Sequence, residues 1–445
     1  MRDLLLLIVI FASIPISFIE PFYGVLVWIW ISYFNPHRYT FSYMYNFPVA
    51  LVIAVPTLAG LFFTRKLNHR FLVRETALLS MLWIWFILTY INATQVPLFQ
   101  LHILDAESEL VRVSKILLMT FVTILLVTSH KRLKQVFLVT AISFIPLVLK
   151  AVIFGWRTGG QDRVWGPPDS FLADNNGFAL AVNMSLPILF YFGREEKNPF
   201  IRRLLNIGFV CAIATVILTY SRGGLLGLAA VLLMIAFKSR YRVLSTVLLL
   251  VSLFLVLTFA PEKWMERMGT ITGSEQKMDD SAKQRIVAWG TTWNFVMDYP
   301  IAGGSFRSLP NVDLFQRYQP EPLPEGYLST APHSIYFQTL GEQGFVGLLL
   351  YLTLIGSTLV SLHGLRRRAK LLESAAWMIT YIDIIQASLT GFLVSGAFLG
   401  FANFDLFYEM IACAIILKIL WQRELAVQSA TVAARVPTLA ESGAL

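Results

Sequence analysis

The sequence predicts an all-α polytopic membrane protein with about 12 transmembrane helices and one large loop outside the bilayer. Three observations predict it. Hydrophobic residues fill 56% of the 445 positions and charged residues only 14%, too little polar surface for a soluble chain of this length. Apolar stretches of about 15 to 25 residues recur from one end of the chain to the other. The Lys and Arg excess behind the net charge of +9 is gathered in short clusters between those stretches, the pattern of cytoplasmic loops and not of a nucleic-acid surface.

The first stretch, 3–34, is long for one helix and is interrupted by Pro15 and Pro21. Further stretches fall near 46–63, 76–93, 115–129, 134–154, 173–193, 202–219, 222–237, 242–260, 334–362, 376–398 and 405–421. The basic clusters are TRKLNHRFLVR at 64–74, HKRLK at 130–134, REEKNPFIRR at 194–203, KSRYR at 238–242 and LRRRAK at 365–370. Assigning them all to the cytoplasm puts 35–45, 94–112, 155–172, 261–333 and the 399–404 turn on the outer side. With the chain start inside as well, 3–34 must cross an odd number of times. It then reads as one crossing plus a broken or interfacial piece, with both chain ends inside. The opening MRDLLLLIVIFASIPIS reads as the first membrane segment and not as a cleaved leader, because apolar segments continue to the end.

By domain, residues 1–260 hold the first transmembrane helices and 261–333 a loop domain on the outer side, periplasmic if the resemblance given below holds. Residues 334–423 hold the C-terminal transmembrane helices, and 424–445 an Ala-, Thr- and Ser-rich tail expected to be disordered and cytoplasmic. The 261–333 loop is too long for a bare connector. It carries Trp264, Trp289, Trp293, Phe306, Phe315 and Tyr318, so it is expected to fold against the membrane helices. Cys211 and Cys413 lie in apolar stretches and read as buried thiols.

Charge near or inside a membrane is costly, so charged groups the chain could have avoided mark candidate sites. In LTYSRGGLLG at 218–227, Arg222 sits in a tight turn between two apolar helices. Ser221 is placed to cap the second helix, and Gly223 and Gly224 open its first turn. Backbone N–H groups at a helix start beside a guanidinium suit a phosphate; the plainer reading is an arginine snorkelling from a helix end. In DDSAKQRIVAWGTTWNFVMDYPIAGGSFRSL at 279–309, Arg285, Trp289 and Trp293 are spaced i, i+4, i+8 and share a helix face. That face either anchors the segment at the interface or holds a phosphate while the tryptophans pack on lipid or sugar. Asp279 and Asp280 read as a solvated helix start, since no third ligand follows at a metal-binding spacing. His333 follows Pro332 and opens a helix. An imidazole at that outer mouth can take a proton from a sugar hydroxyl near neutral pH; the plainer reading is a histidine bonded to backbone. Glu342 lies two turns further on among Gly341, Gly344 and Gly347, and either closes a helix contact or pairs with an arginine.

The loop GQDRVWGPPDSFLADNNGF at 160–178 leads into a helix capped by Asp174, Asn175 or Asn176, and Arg163 is expected to line the same cavity. Asp383 lies in an apolar stretch and needs a partner or a wet cavity. The remaining histidines, His37, His69, His102, His130 and His363, are not grouped with other ligand residues, so no metal site and no cofactor are predicted.

Together the SRGG arginine between two helices, the large loop with R-x3-W and the turn DYPIAGGSF, and the run PHSIYFQTLGEQGFVG opening a helix resemble the O-antigen ligase superfamily (WaaL-like). The N-terminal IEPFYGVLVWIWISYFNPHR is similar to the exosortase-associated O-glycosylation ligases within it. The likeness spans most of residues 1–420, with one departure: IAGGSF at 301–306 stands where the family has a GxGxGS-like run. The resemblance implies a GT-C type glycosyltransferase of the bacterial inner membrane, inverting and metal-independent, with its active site facing the periplasm. Its donor would be an undecaprenyl diphosphate-linked glycan and its acceptor a hydroxyl of lipid A core. Arg222 and Arg285 would bind the diphosphate, His333 would act as base or orient the acceptor, and Arg163, Asn175, Asn176, Ser221, Trp289 and Glu342 would line the substrate cavity. An O-antigen polymerase and a protein O-glycosylating ligase share these features. A transporter of lipid-linked glycans is the alternative of another class; it calls for internal repeats and charges near the bilayer midplane.

Overall fold

A computed structural model describes residues 1–238 and 280–441. The expected stretch at 242–260, Trp264 and Asp279 lie outside the described residues. The described chain is built of helices: α1 (Arg2–Ile19), α2 (Pro21–Phe34), α3 (Val49–Leu61), α4 (Arg74–Gln95), α5 (Ile103–Leu126), α6 (His130–Arg157), α7 (Asn175–Glu195), α8 (Pro199–Leu218), α9 (Arg222–Lys238), α10 (Asp280–Asp298), α11 (Val312–Tyr318), α12 (Ile335–Ala369), α13 (Trp377–Gly396) and α14 (Asp405–Glu441). Seven of them, α1, α4, α6, α7, α8, α12 and α13, are long and apolar enough to cross a membrane, so the protein is multi-pass. Helix α7 is the centre of the bundle. Its apolar window is 83% buried, and α6, α8, α9 and α13 pack around it.

Polar contacts sort the connections to two ends. At one end Glu20 meets Arg132 and Lys66, Lys134 meets Glu196 at 3.0 Å, and Arg366 and Lys238 both reach Asp383, at 2.7 and 2.5 Å. The described basic clusters therefore share this end, and Asp383 has its partners there. Losing the Asp383 carboxylate would strand two cations that it neutralises. At the opposite end His102 Nε2 lies 2.8 Å from the Gly304 carbonyl, Tyr45 bonds Asp169, and the Asn311 amide donates to the Leu101 carbonyl at 3.4 Å.

Three boundaries differ from the sequence expectation. The Asp3 carboxylate accepts backbone N–H bonds from Ser42 at 3.2 Å and Met44 at 3.4 Å, so the chain starts at the end away from the basic clusters. Helices α1 and α2 form a hairpin that reverses at Glu20, whose backbone is non-helical at φ −129, ψ 87. Pro15 is absorbed inside α1, whereas Pro21 has no N–H to leave unbonded and opens α2. Residues 3–34 thus run out and back instead of crossing once. Helix α5 begins at Ile103, inside the expected 94–112 loop, because its charges pair along the helix, as Glu109 and Arg112 do at i, i+3. Helix α14 runs on to Glu441, past the boundary at 424, through residues rich in the strong helix former Ala.

The hairpin gives an expected result. Single cysteines introduced as Arg2→Cys and Ser42→Cys, both exposed, should react with a membrane-impermeant maleimide from the same side, and Lys66→Cys from the other. Labelling of Arg2→Cys together with Lys66→Cys would instead restore the single crossing.

Helix α12 is broken at Gly344, whose backbone lies at φ 67, ψ −173. The Gly-rich turn after α10 wedges into the break. Phe345 N–H donates to the Pro300 carbonyl at 2.8 Å, and Gly304 N–H donates to the Gly341 carbonyl at 3.0 Å. The backbone groups that the break would orphan are thereby used. The departure IAGGSF keeps a close contact: a Cβ on Gly303 would lie 2.5 Å from the Gly341 carbonyl oxygen.

Candidate active site

The N-terminal ends of α7, α9 and α12 meet at the end away from the basic clusters, around the 397–404 turn. Each is placed by local chemistry. The Asp174 carboxylate accepts Gly177 N–H at 2.9 Å and caps α7. Ser221 Oγ accepts Gly224 N–H at 3.0 Å at the start of α9. Asn175, buried, donates to the Thr219 carbonyl at 2.7 Å and ties the two helix starts together. The neighbouring Asn176 amide stays local, reaching Asn175 Oδ1 at 3.3 Å.

His333 sits just before α12 with its backbone in the left-handed region, φ 45. That conformation is uncommon for a residue with a Cβ and is held from several sides. Trp289 Nε1–H donates to the Pro332 carbonyl at 2.7 Å, and the Trp289 ring stacks on Phe337 at 5.3 Å, within 5° of parallel. Gly400 faces His333 from the other side; a Cβ there would stand 3.8 Å from His333 Cα. Burial and then the Arg285 guanidinium hold the His333 imidazole below its ordinary pKa, and Asp174 pulls the other way. His333 therefore feels the charges of both Arg285 and Asp174. The shared face of Arg285, Trp289 and Trp293 exists on α10, but its tryptophans pack on Phe337 and Phe345 of α12.

Arg222 reaches this place through the helix ends. Its neighbour Gly223 packs on Phe398 and on the Ser395 carbonyl, while Gly396 packs on Ile335 at the start of α12. The starts of α9 and α12, which carry Arg222 and follow His333, thus both pack on the 395–400 segment. Arg163 does not join them. It is exposed and lines a separate cavity of about 280 Å3 with Tyr39, Lys150 and Trp165.

Glu342 Oε1 accepts the Arg307 backbone N–H at 3.1 Å and the Gln338 amide at 3.3 Å, which fixes the end of the Gly-rich turn over α12. The cavity it faces, about 170 Å3, also holds Glu109, Arg112, Arg307 and Asn403, none of which was singled out from the sequence. One signal was available for two of them. Glu109 and Arg112 stand at i, i+3 beside an apolar stretch, the spacing of a helical ion pair. Among the described residues, no three of His, Cys, Asp and Glu gather as a metal site would require.

Residues 207–352, from α8 across α9 and α10 to the middle of α12, match the family model described as O-antigen ligase. Over that segment, about a third of the chain, it is similar to the O-antigen ligase family. Residues 1–196 match a family of unknown function. No curated protein matches the chain. The ligase match includes Arg222, Arg285, His333 and Glu342, whereas Asp174 comes from the N-terminal match and Asn403 lies beyond both. The candidate site is therefore completed by residues outside the segment matched to the ligase family.

Proposed function

We propose that the protein transfers a glycan from undecaprenyl diphosphate to a hydroxyl of lipid A core, at the periplasmic face of the bacterial inner membrane. The observation that carries this reading is His333, held in a left-handed backbone beside Arg285 at the junction of three helix starts. In the reaction, the acceptor hydroxyl gives its proton to the neutral imidazole of His333 as its oxygen attacks the anomeric carbon. The new C–O bond forms from the face opposite the leaving group, so configuration inverts. The bond from the anomeric carbon to the diphosphate breaks, and its electron pair goes to the diphosphate oxygen. Arg222 and Arg285 bind that diphosphate and stabilise the charge that grows on it, which leaves little need for protonation of the leaving group.

Reconstitution tests the reading. The protein is mixed with undecaprenyl diphosphate-linked glycan and lipid A core, and the lipid products are weighed by mass spectrometry. The expected product is lipid A core heavier by the whole donor glycan. A lengthened carrier-linked glycan beside unchanged lipid A core would identify a polymerase, and counterflow without any covalent product a transporter.

The pH profile tests the role of His333. A base must be neutral to act, and a lowered imidazole pKa keeps it neutral to more acid pH. Asp174 opposes that lowering. Asp174→Asn, which still caps α7, should therefore shift the acid limb of kcat/KM to lower pH. An unmoved limb would make His333 a clamp for the acceptor and not its base.

A further inference from the structure

We infer that the cavity on the Pro332 side of His333 is the subsite for the acceptor sugar, with Asn403 and Arg307 as its positioning residues; this rests on the transfer reading above. The cavity is lined by Pro332 and by Gly400, which lies against the His333 backbone, so a ring seated there is one residue away from His333. Its two guanidiniums lie against a carboxylate of the same lining. Arg112 holds Glu109 through two bonds, one of 3.0 Å, and Arg307 Nε stands 3.9 Å from the same carboxylate. Glu342 supplies the second carboxyl. Carboxyl oxygens accept from hydroxyls and guanidiniums donate to them, so the lining suits a sugar ring.

A second observation points to a ligand. Asn403 is only 4% exposed, and its Nδ2 has no partner, while its Oδ1 accepts from the Tyr408 hydroxyl at 3.5 Å. Buried amide donors are normally satisfied, and this one borders the cavity. A sugar oxygen would complete it. One wall is apolar: Phe171 lies under Arg112 at 4.3 Å and against Phe401 at 4.7 Å. Such a ring face suits the C–H face of a sugar. At about 170 Å3 the cavity is smaller than pockets for drug-sized ligands, which begin near ~300 Å3, so it takes one ring and not an oligosaccharide.

The test reads binding and turnover separately on the full chain, with lipid A core as the probe. Asn403→Asp keeps the shape and replaces a donor by an acceptor; Arg307→Gln alters a mostly exposed side chain and guards against a folding defect in the first variant. Each should raise the Kd and KM for lipid A core about tenfold, the scale of one lost hydrogen bond, and leave the donor KM within about twofold. His333→Ala should bind lipid A core as the unsubstituted protein does while failing to transfer. If no transfer occurs in any form, the transfer reading fails, yet Asn403-dependent binding of lipid A core would still uphold the subsite. Unchanged lipid A core affinity in both variants, an equal rise in donor KM, or no binding of lipid A core by the unsubstituted protein overturns it.

Discussion

His333→Ala in the reconstituted protein should lower kcat by about 10²- to 10⁴-fold, the range a positioned general base contributes. The donor KM should stay nearly constant, because the diphosphate is assigned to Arg222 and Arg285. The substitution is small for the fold. Trp289 holds the Pro332 carbonyl and Gly400 faces the backbone, so the main contacts around position 333 do not need the ring. Two controls separate chemistry from folding: elution and melting of the variant, and its affinity for lipid A core. His333→Gln adds a third, since an amide can hydrogen-bond a hydroxyl but cannot take its proton. Activity of His333→Gln near that of the unsubstituted protein would move the base elsewhere and leave His333 as a clamp.

The residues that carried the sequence reading were those whose cost is local. An arginine between two apolar helices, or a histidine at the mouth of one, is conspicuous because burying charge near a bilayer is expensive wherever the chain goes next. Arg222, Arg285 and His333 stand out in the sequence for that reason, and their roles are proposals. What escaped was set by distance along the chain. Glu109 meets Arg307, and Asn403 completes a cavity whose other walls lie in α5, the Gly-rich turn and α12. Nothing near position 403 announces that role. Arg163 failed in the other direction. It looked like part of the site because its loop leads into α7, but the loop turns it toward Lys150 and Tyr39. The hairpin of α1 and α2 was hidden because loop assignment counts Lys and Arg alone, whereas the chain start is fixed by an aspartate bonded to backbone 39 to 41 residues away.

Gly344→Ala should damage the described fold severely. Its φ of 67 and ψ of −173 belong to a region that is essentially reserved for glycine. The strain alone costs about 1–3 kcal/mol, and a clash adds to it: the new Cβ would lie 2.2 Å from the Ile301 carbonyl oxygen and 2.8 Å from Ala302 N. Those are backbone atoms, so no side chain can rotate away. Relief requires the Gly-rich turn to leave the break in α12, which removes the Phe345–Pro300 and Gly304–Gly341 bonds and frees Arg307 N–H from Glu342. A loss of at least about 3 kcal/mol follows, and transfer should fall with it because the wall beside His333 moves. Gly356→Ala, in the same helix, is the matched control. A Cβ there meets nothing within 4 Å, so the helix should gain about 0.5–1 kcal/mol instead. Melting curves of the two variants in one detergent decide the matter. Equal melting would mean that α12 can run straight through position 344, and that the turn carrying Arg307 is not held by the break.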